Sequence, residues 1–384
     1  MRVFRFIILI ALIIPQNGFA QAEVPVEGRN YPGISVGYGF GKVFPTNSFV
    51  KGENMAGKPI NGIRSLSLKM LWQNPGYKSW QKIYDIPYYG IGISVGDLHN
   101  PLEIGYPISF YGVLGIPLIR REKLELYTEL QFGVASNWVT YNAHTNPMNI
   151  AIGSGITAHA SVGLRAFYHL SEKVDIGGGF SFSHFSNGGL DRPNYGINIG
   201  VPSVDLRYLF GGRPEIPEPE MPDDADLKRE FIITGTYSRY QTIQDTLDMY
   251  YFTAGGLSPY YLWHNSEVFK SGIGMDLNFL TGLSSNSMGA PGSYGWENLT
   301  LGIGYQFEVV FDRLSIVGGI GNYAVHKLYK SFSRLYQRIG VKFYIMENLY
   351  AGVNVRAVSF GTAEFMEFNM GYRAWSADRR RKPQ

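Results

Sequence analysis

The chain contains no cysteine, which excludes a small scaffold held together by disulfide bonds. Only 17% of its 384 residues are charged, and 34 Lys and Arg nearly balance 31 Asp and Glu. The net charge of +3 is too small to favour a nucleic-acid partner. No apolar run reaches the roughly 18 residues that a membrane-spanning helix needs. If the chain is embedded in a membrane, it is therefore expected to cross as a closed β-barrel.

Glycine and aromatic residues are abundant instead. The chain has 47 Gly, 27 Tyr, 24 Phe and 6 Trp, and 45% of its residues are hydrophobic. Such a composition is typical of all-β proteins, and it suits a membrane barrel better than a soluble enzyme.

The N-terminus has the pattern of an export signal. Met1–Arg5 is basic, an apolar run extends from Phe6 to Ile14, and small-residue cleavage sites follow up to Ala22. The apolar run is too short to span a bilayer. Residues 1–22 are therefore predicted to be a signal peptide that exports the chain. An exported chain that crosses a membrane as a β-barrel is expected in the bacterial outer membrane.

Strict alternation of polar and apolar residues marks several predicted strands. It is clearest over 124–132 and 299–309, and it recurs over 271–279 and 349–355. One polar or glycine face and one large apolar face fit a barrel with lipid outside. Short turns alternate with longer connections, as they do in outer-membrane barrels.

A segment rich in proline and acidic residues separates two strand-rich halves. Residues 212–229 are predicted to be a linker, because four prolines and five carboxylates within 213–224 cannot form a strand in lipid. About eight strands are expected in 26–211 and about eight in 230–375, followed by a basic tail over 376–384. The predicted fold is an all-β, antiparallel transmembrane β-barrel, either two barrels of eight strands or one of about sixteen. A secreted β-sandwich is the soluble alternative.

The hairpin that ends the first half combines a histidine and a serine on one face. His184 and Ser186 are two residues apart on a predicted strand, so their side chains leave the same side. The apolar residues that share their parity are Val174, Ile176, Phe180 and Phe182. The pair therefore faces lipid, where a polar pair is costly unless it is used. Serine beside histidine is the minimum for nucleophilic acyl transfer, and the following turn offers donors for an oxyanion.

This hairpin resembles the lipid A 3-O-deacylase family (PagL type), whose signature is H-x-S-N followed by P-N-x-G. The matching residues are His184, Ser186, Asn187, Pro193, Asn194 and Gly196. The resemblance implies an outer-membrane barrel of eight strands with the motif on its last hairpin, here 26–211. It implies His184 as the base, Ser186 as the nucleophile and Asn194 in the oxyanion hole. It also implies that Asn187 and Gly189 shape the turn.

One position departs from the family pattern. The carboxylate that usually completes the triad lies twelve residues after the serine, and Asn198 occupies that position here. An asparagine oxygen can hold an imidazole tautomer but supplies no charge for the imidazolium. Asp191, in the turn, is an alternative carboxylate.

The face on which Asn198 lies is ambiguous from the strand pattern. The residues that place it toward lipid are Val204, Leu206, Tyr208 and Phe210. The residues that indicate the reverse are Ile197, Ile199 and Val201, with Pro202 a candidate bulge where the phase changes.

The expected function is a membrane-embedded serine ester hydrolase that removes an acyl chain from lipid A, the lipid part of lipopolysaccharide, or from a related outer-leaflet lipid. Ser186, His184 and Asn198 would carry the reaction without a metal or other cofactor. The alternative is a non-catalytic channel, or a structural or lipid-binding barrel. The second half is expected to contribute a barrel without chemistry, with Lys270, Asp276, Arg338 and Lys342 facing inward. No sequence feature predicts the scissile ester or the oligomeric state.

Overall fold

Two closed antiparallel β-barrels of eight strands each make up the computed structural model of the chain. The structure describes residues 30–214, 228–241, 251–281, 295–325, 334–358 and 360–378. The predicted signal peptide and most of the predicted linker lie outside these residues. The expected all-β transmembrane barrel fold is confirmed, and of the two arrangements left open it is two barrels.

The strands follow one another around each barrel in chain order. The first barrel comprises β1 (Tyr31–Val43), β2 (Gly62–Gln73), β3 (Tyr88–Asp97), β4 (Gly105–Arg120), β5 (Leu124–Trp138), β6 (Thr157–His169), β7 (Val174–Ser186) and β8 (Ile197–Leu209). The second comprises β9 (Lys228–Gln241), β10 (Tyr251–Ser266), β11 (Phe269–Leu280), β12 (Leu299–Phe311), β13 (Leu314–Val325), β14 (Leu335–Tyr344), β15 (Leu349–Val358) and β16 (Thr362–Asp378). Pairing of β1 with β8 closes the first barrel, and pairing of β16 with β9 closes the second.

Helical structure is confined to the connections. Helix α1 (Ser48–Lys51) lies between β1 and β2, helix α2 (Ser79–Ile83) lies between β2 and β3, and a 3-10 turn (Trp296–Asn298) precedes β12. Within the described part of the chain, none of the helices has the length and hydropathy to span a membrane.

The outer faces of both barrels are apolar, as the alternation of the strands predicts. In β7 the outward residues include Ile176, Phe180 and Phe182, whereas Asp175 and Ser183 point inward and are buried. Outward apolar residues of the second barrel include Leu257, Ile273, Met275, Ile303 and Ile339. A continuous apolar exterior of this kind is the lipid-facing surface of a transmembrane barrel.

Ion pairs cross the interior of each barrel. In the first barrel the ammonium of Lys69 lies 2.6 Å from a carboxylate oxygen of Glu129. In the second, Arg338 lies 2.9 Å from Asp276 and 2.7 Å from Glu367. The four polar residues predicted to face inward in the second half, Lys270, Asp276, Arg338 and Lys342, are all buried inside it. The pairing offsets the cost of taking these charges out of water.

We call the end of the barrels that carries the β7–β8 connection the loop end and the opposite end the turn end. At the loop end the first barrel is filled by an apolar cluster rather than by charges. Its members include Val43, Phe49, Ile104, Trp138, Ile152, Phe185, Ile197, Ile199 and Val201. The connections β1–β2, β3–β4 and β5–β6 supply part of this cluster and close the barrel there.

The two barrels contact each other at both ends. At the turn end, Lys78 pairs with Asp312, and the ring of Tyr84 stacks on Phe311 at 4.6 Å. Burial raises the pKa of Tyr84 to about 12. At the loop end, the β7–β8 turn meets β9, β10 and β16. The barrels therefore lie side by side with their loop ends at the same level.

Candidate active site

The end of β7 places His184 and Ser186 on the outer face of the first barrel. Both side chains are half-buried, and their neighbour Phe182 is 39% exposed on the same face. Phe185 lies between them in sequence and points inward into the apolar cluster. Both side chains point outward, as the strand parity predicts. They belong to the last three residues of β7, next to the loop end.

Asn198 lies opposite His184 on the neighbouring strand. The two residues are register partners of β7 and β8, and the Nδ1 atom of His184 lies 2.7 Å from the Oδ1 atom of Asn198. The amide of Asn198 in turn donates through Nδ2 to the hydroxyl of Thr46, at 3.3 Å. With Oδ1 facing the imidazole as acceptor, the hydrogen-bond network assigns the proton of a neutral His184 to Nδ1. The Nε2 atom is then left with its lone pair.

The phase of β8 resolves the ambiguity in the pattern. Asn198 shares the outward face with Val204, Leu206 and Tyr208, and the register with β7 runs through Pro202 without a shift. The prediction of a bulge at Pro202 is therefore wrong. Ile197, Ile199 and Val201 misled the sequence pattern because they are apolar and yet point inward, where the loop end of the barrel encloses the apolar cluster that they join.

Gly196 lets the backbone approach the histidine and the serine closely. A Cβ atom at this position would lie 3.0 Å from Cε1 of His184 and 3.4 Å from Cβ of Ser186. Its φ of +72° is also in the region that favours glycine. The carbonyl of Gly196 accepts a hydrogen bond of 3.1 Å from Nδ2 of Asn47, which caps helix α1. Both His184 and Ser186 thus lie over one glycine that the β1–β2 connection holds in place.

The asparagines of the turn hold its backbone. The buried Asn187 accepts from the N–H of Gly189 at 2.9 Å and donates to the carbonyl of Asp191 at 2.9 Å. Its own backbone N–H donates to Oδ1 of Asn194 at 3.1 Å. These bonds orient the amide of Asn194 and tie both ends of the turn together.

The serine hydroxyl is engaged locally. Its Oγ accepts from the N–H of Gly188 at 3.4 Å, and no hydrogen bond between described residues joins Ser186 to His184. Catalytic hydrogen bonds often form or tighten only when substrate binds. Rotation about one side-chain bond of Ser186 changes the direction in which its Oγ points.

Asp191 is occupied elsewhere. Its carboxylate accepts a hydrogen bond of 2.7 Å from the hydroxyl of Tyr251, which is the first residue of β10. The neighbouring Arg192 is partly buried against the second barrel, and that burial lowers the pKa of its guanidinium. The structure thus places Asn198, and not Asp191, against the imidazole.

A second histidine and serine with the same spacing lie in a different environment. His264 is on β10 near the turn end and lies 3.5 Å from Glu230, a residue of the second barrel's interior. Ser266 accepts from the N–H of Val268 in the tight turn to β11, at 3.3 Å. This pair therefore belongs to a turn and offers no lipid-facing site.

Thr46 and Asn47 are site residues that sequence reasoning missed. They precede β8 by about 150 residues, as the separations of 152 and 149 between bonded partners show. The Thr-Asn-Ser run before a short helix signals a helix cap, but it carries no information about which distant strand the cap contacts.

As for metals, no three His, Asp or Glu side chains cluster as potential ligands in the residues described.

The fold defines a transmembrane β-barrel protein of the outer-membrane class, with a polar site at its lipid-facing rim. Residues 66–206 match the family model for lipid A 3-O-deacylase (PagL), and residues 229–376 match that for the acyloxyacyl hydrolase C-terminal domain. The chain belongs to this outer-membrane lipid A deacylase family.

Similarity to solved structures is weak. The siderophore receptor PirA from Pseudomonas aeruginosa is 8% identical with a TM-score of 0.24, over 90% of this chain and 61% of that one. PirA from Acinetobacter baumannii is 10% identical with a TM-score of 0.19, over 79% and 51%. A mutant of the Rh. blastica porin is 7% identical with a TM-score of 0.18, over 90% and 99%. The chain thus spans about half to three fifths of the two receptors. No curated protein matches it.

Proposed function

We propose that the first barrel is a serine ester hydrolase that removes an acyl chain from lipid A, or from a related lipid of the outer leaflet. The observation that carries the proposal is the 2.7 Å contact between His184 Nδ1 and Asn198 Oδ1, two residues from Ser186 on a lipid-facing rim. Membership of the lipid A 3-O-deacylase family supports the substrate class.

The reaction follows from these groups. Nε2 of His184 takes the proton of Ser186 as its Oγ attacks the ester carbonyl. The oxyanion that forms accepts hydrogen bonds from Nδ2 of Asn194 and from amides of the turn. The ester C–O bond breaks, and His184 returns the proton to the leaving hydroxyl. Water, deprotonated by His184, then attacks the acyl-serine, so that a fatty acid is released and Ser186 regains its proton.

In this scheme Asn198 orients the base but supplies no negative charge beside it. Its oxygen holds the Nδ1–H tautomer, and the hydroxyl of Thr46 holds its amide in that direction. In a Ser-His-Asp triad the change from Asp to Asn costs about 10⁴ in kcat, because a different tautomer results and the imidazolium loses its counter-charge. Here the bond to Thr46 supports the productive tautomer, and only the counter-charge is missing.

The surroundings suit a lipid substrate. Phe44 and Phe182 lie beside the site with ring centroids 5.8 Å apart, and the apolar exterior of β7 continues below them. An acyl chain in the membrane can lie along this exterior while the polar headgroup remains at the interface. With the loop end at the cell surface, the ester would meet Ser186 at the depth of the outer-leaflet headgroups.

Hydrolysis of purified lipid A in detergent tests the proposal. Mass spectrometry of the lipid should show loss of one acyl chain with the unmodified protein and none with Ser186→Ala. The matched control is Ser266→Ala, which removes the serine of the second His-x-Ser sequence and should leave the rate unchanged. Equal activity of Ser186→Ala and the unmodified protein would refute the assignment of the nucleophile. No activity in the unmodified protein would favour a structural or lipid-binding barrel.

A further inference from the structure

The turn that carries the proposed oxyanion group is attached to the second barrel. Gln241, the last residue of β9, accepts a hydrogen bond through Oε1 from the backbone N–H of Arg192. The backbone N–H of Gln241 donates to the carbonyl of Gly189 at 3.2 Å. One residue of the second barrel therefore binds the turn at two points, with its acceptor and its donor.

Other contacts support this attachment. The guanidinium of Arg192 donates to the carbonyl of Ala363 at 2.9 Å, at the start of β16. Cβ atoms built on Gly188 and Gly189 would lie 3.1 Å from Met366 and 3.3 Å from the carbonyl of Glu364, respectively. The turn thus packs against the rim of the second barrel through the backbone of Gly188 and Gly189, where a side chain would prevent the close approach.

Within the part of the chain that the structure describes, the hydrogen bonds of Gln241 to the turn are what connect it with the reacting atoms. It is only 3% exposed and lies on another barrel from Ser186. Its partner Arg192 lies two residues before Asn194. The Oδ1 atom of Asn194 accepts a hydrogen bond from the backbone N–H of Asn187, the residue that follows Ser186. Loss of the Gln241 acceptor leaves the N–H of Arg192 without its partner, so the turn must move to recover a bond.

We propose that Gln241 is a positioning residue, through which the second barrel holds the β7–β8 turn in the geometry that the ester hydrolase needs. This inference rests on the proposed function. It gives the second barrel a role in the reaction, since a displacement of about 1 Å at a catalytic group can cost about 10²-fold in rate.

The test compares Gln241→Leu with Gln241→Glu in the full-length purified protein. Leu removes the acceptor at similar volume, and Glu retains an oxygen there. We expect Leu to lower kcat on lipid A by about tenfold or more with little change in KM, and Glu to restore much of the loss. The control is Gln306→Leu, which removes a buried glutamine that donates to Glu308 inside the second barrel; Gln306 lies on β12, whereas the strands that bond the turn are β9, β10 and β16.

Hydrogen exchange of the backbone, followed by mass spectrometry over residues 187–192, is the second measurement. Exchange should accelerate in Gln241→Leu and stay unchanged in Gln306→Leu. Unchanged exchange and unchanged kcat in Gln241→Leu would overturn the inference. If the unmodified protein hydrolyses no lipid A, the proposed function fails. The exchange data then decide alone: acceleration in Gln241→Leu supports attachment of the turn by Gln241, and no acceleration overturns it.

Discussion

Asn198 on β8 contacts the imidazole of its register partner His184 on the neighbouring strand β7, with Oδ1 of the asparagine 2.7 Å from Nδ1 of the histidine. The pairing of β7 with β8 creates this contact, because the two residues are register partners on the outward face. A neutral amide therefore stands where a carboxylate would complete a charged triad.

Replacement of that amide by a carboxylate is expected to accelerate hydrolysis. Asn198→Asp keeps an oxygen at the Oδ1 position and adds the counter-charge for the imidazolium, so kcat on lipid A should rise by about 10-fold or more. Asn198→Ala, which removes the contact, should lower it. Steady-state kinetics with lipid A in detergent provide the measurement. A slower Asn198→Asp enzyme would show that His184 does not act as the base in this way.

Thr46 is expected to control the direction of the Asn198 amide. Thr46→Val removes the hydroxyl that accepts from Nδ2 of Asn198, so the amide is free to turn its NH₂ group toward His184. We expect a decrease in kcat of about tenfold, since the productive tautomer is no longer favoured. Thr46→Ser, which retains the hydroxyl, is the control and should keep most of the activity. Equal rates for Val and Ser at this position would contradict the role of Thr46.

Gly196 is expected to tolerate no side chain. Gly196→Ala introduces a Cβ atom 3.0 Å from the imidazole of His184 at a φ of +72°, so both activity and stability should decrease. The conformational part of the cost is about 1–2 kcal/mol in the free energy of unfolding. Urea unfolding in detergent measures it. Gly155→Ala is the control, because no atom lies within 4 Å of the added methyl group. Equal stability of the two variants would contradict the account of Gly196.

The barrels are expected not to conduct ions. Barrels of eight strands have interiors that side chains can fill, and here ion pairs such as Lys69–Glu129 and Asp276–Arg338 cross them. Planar-bilayer recordings of the purified protein should show no current steps above the leak of the lipid. Reproducible steps that persist in Ser186→Ala would instead support the channel alternative.

Much of this architecture could be predicted from periodicity. Alternation along β7 gives the outward face of His184 and Ser186, because the strand is apolar outward and polar or glycine inward from Val174 to Ser183. The same argument failed to orient Asn198, since β8 near the loop end is apolar inward as well, where Ile197 and Ile199 join the cluster. Periodicity reports a face only where the two environments differ.

The contacts that complete the site could not be predicted. Thr46 reaches Asn198 through a loop that folds back over the barrel rim, and Gln241 reaches Arg192 from another barrel. Each is a single hydrogen bond between residues distant in sequence, and neither leaves a pattern in the residues around it. Such bonds depend on the path of the connections and on how the barrels pack, which local propensities do not specify.

The most direct measurement of the central claim is the capture of the acyl-enzyme. Purified protein is mixed with lipid A, quenched in acid within milliseconds to seconds and digested, and the peptide that contains Ser186 is examined by mass spectrometry. The account predicts a peptide heavier by one acyl group, with the modification on Ser186, and no modified peptide from Ser186→Ala. Release of fatty acid that continues in Ser186→Ala, or an acyl group found on another residue, would contradict it.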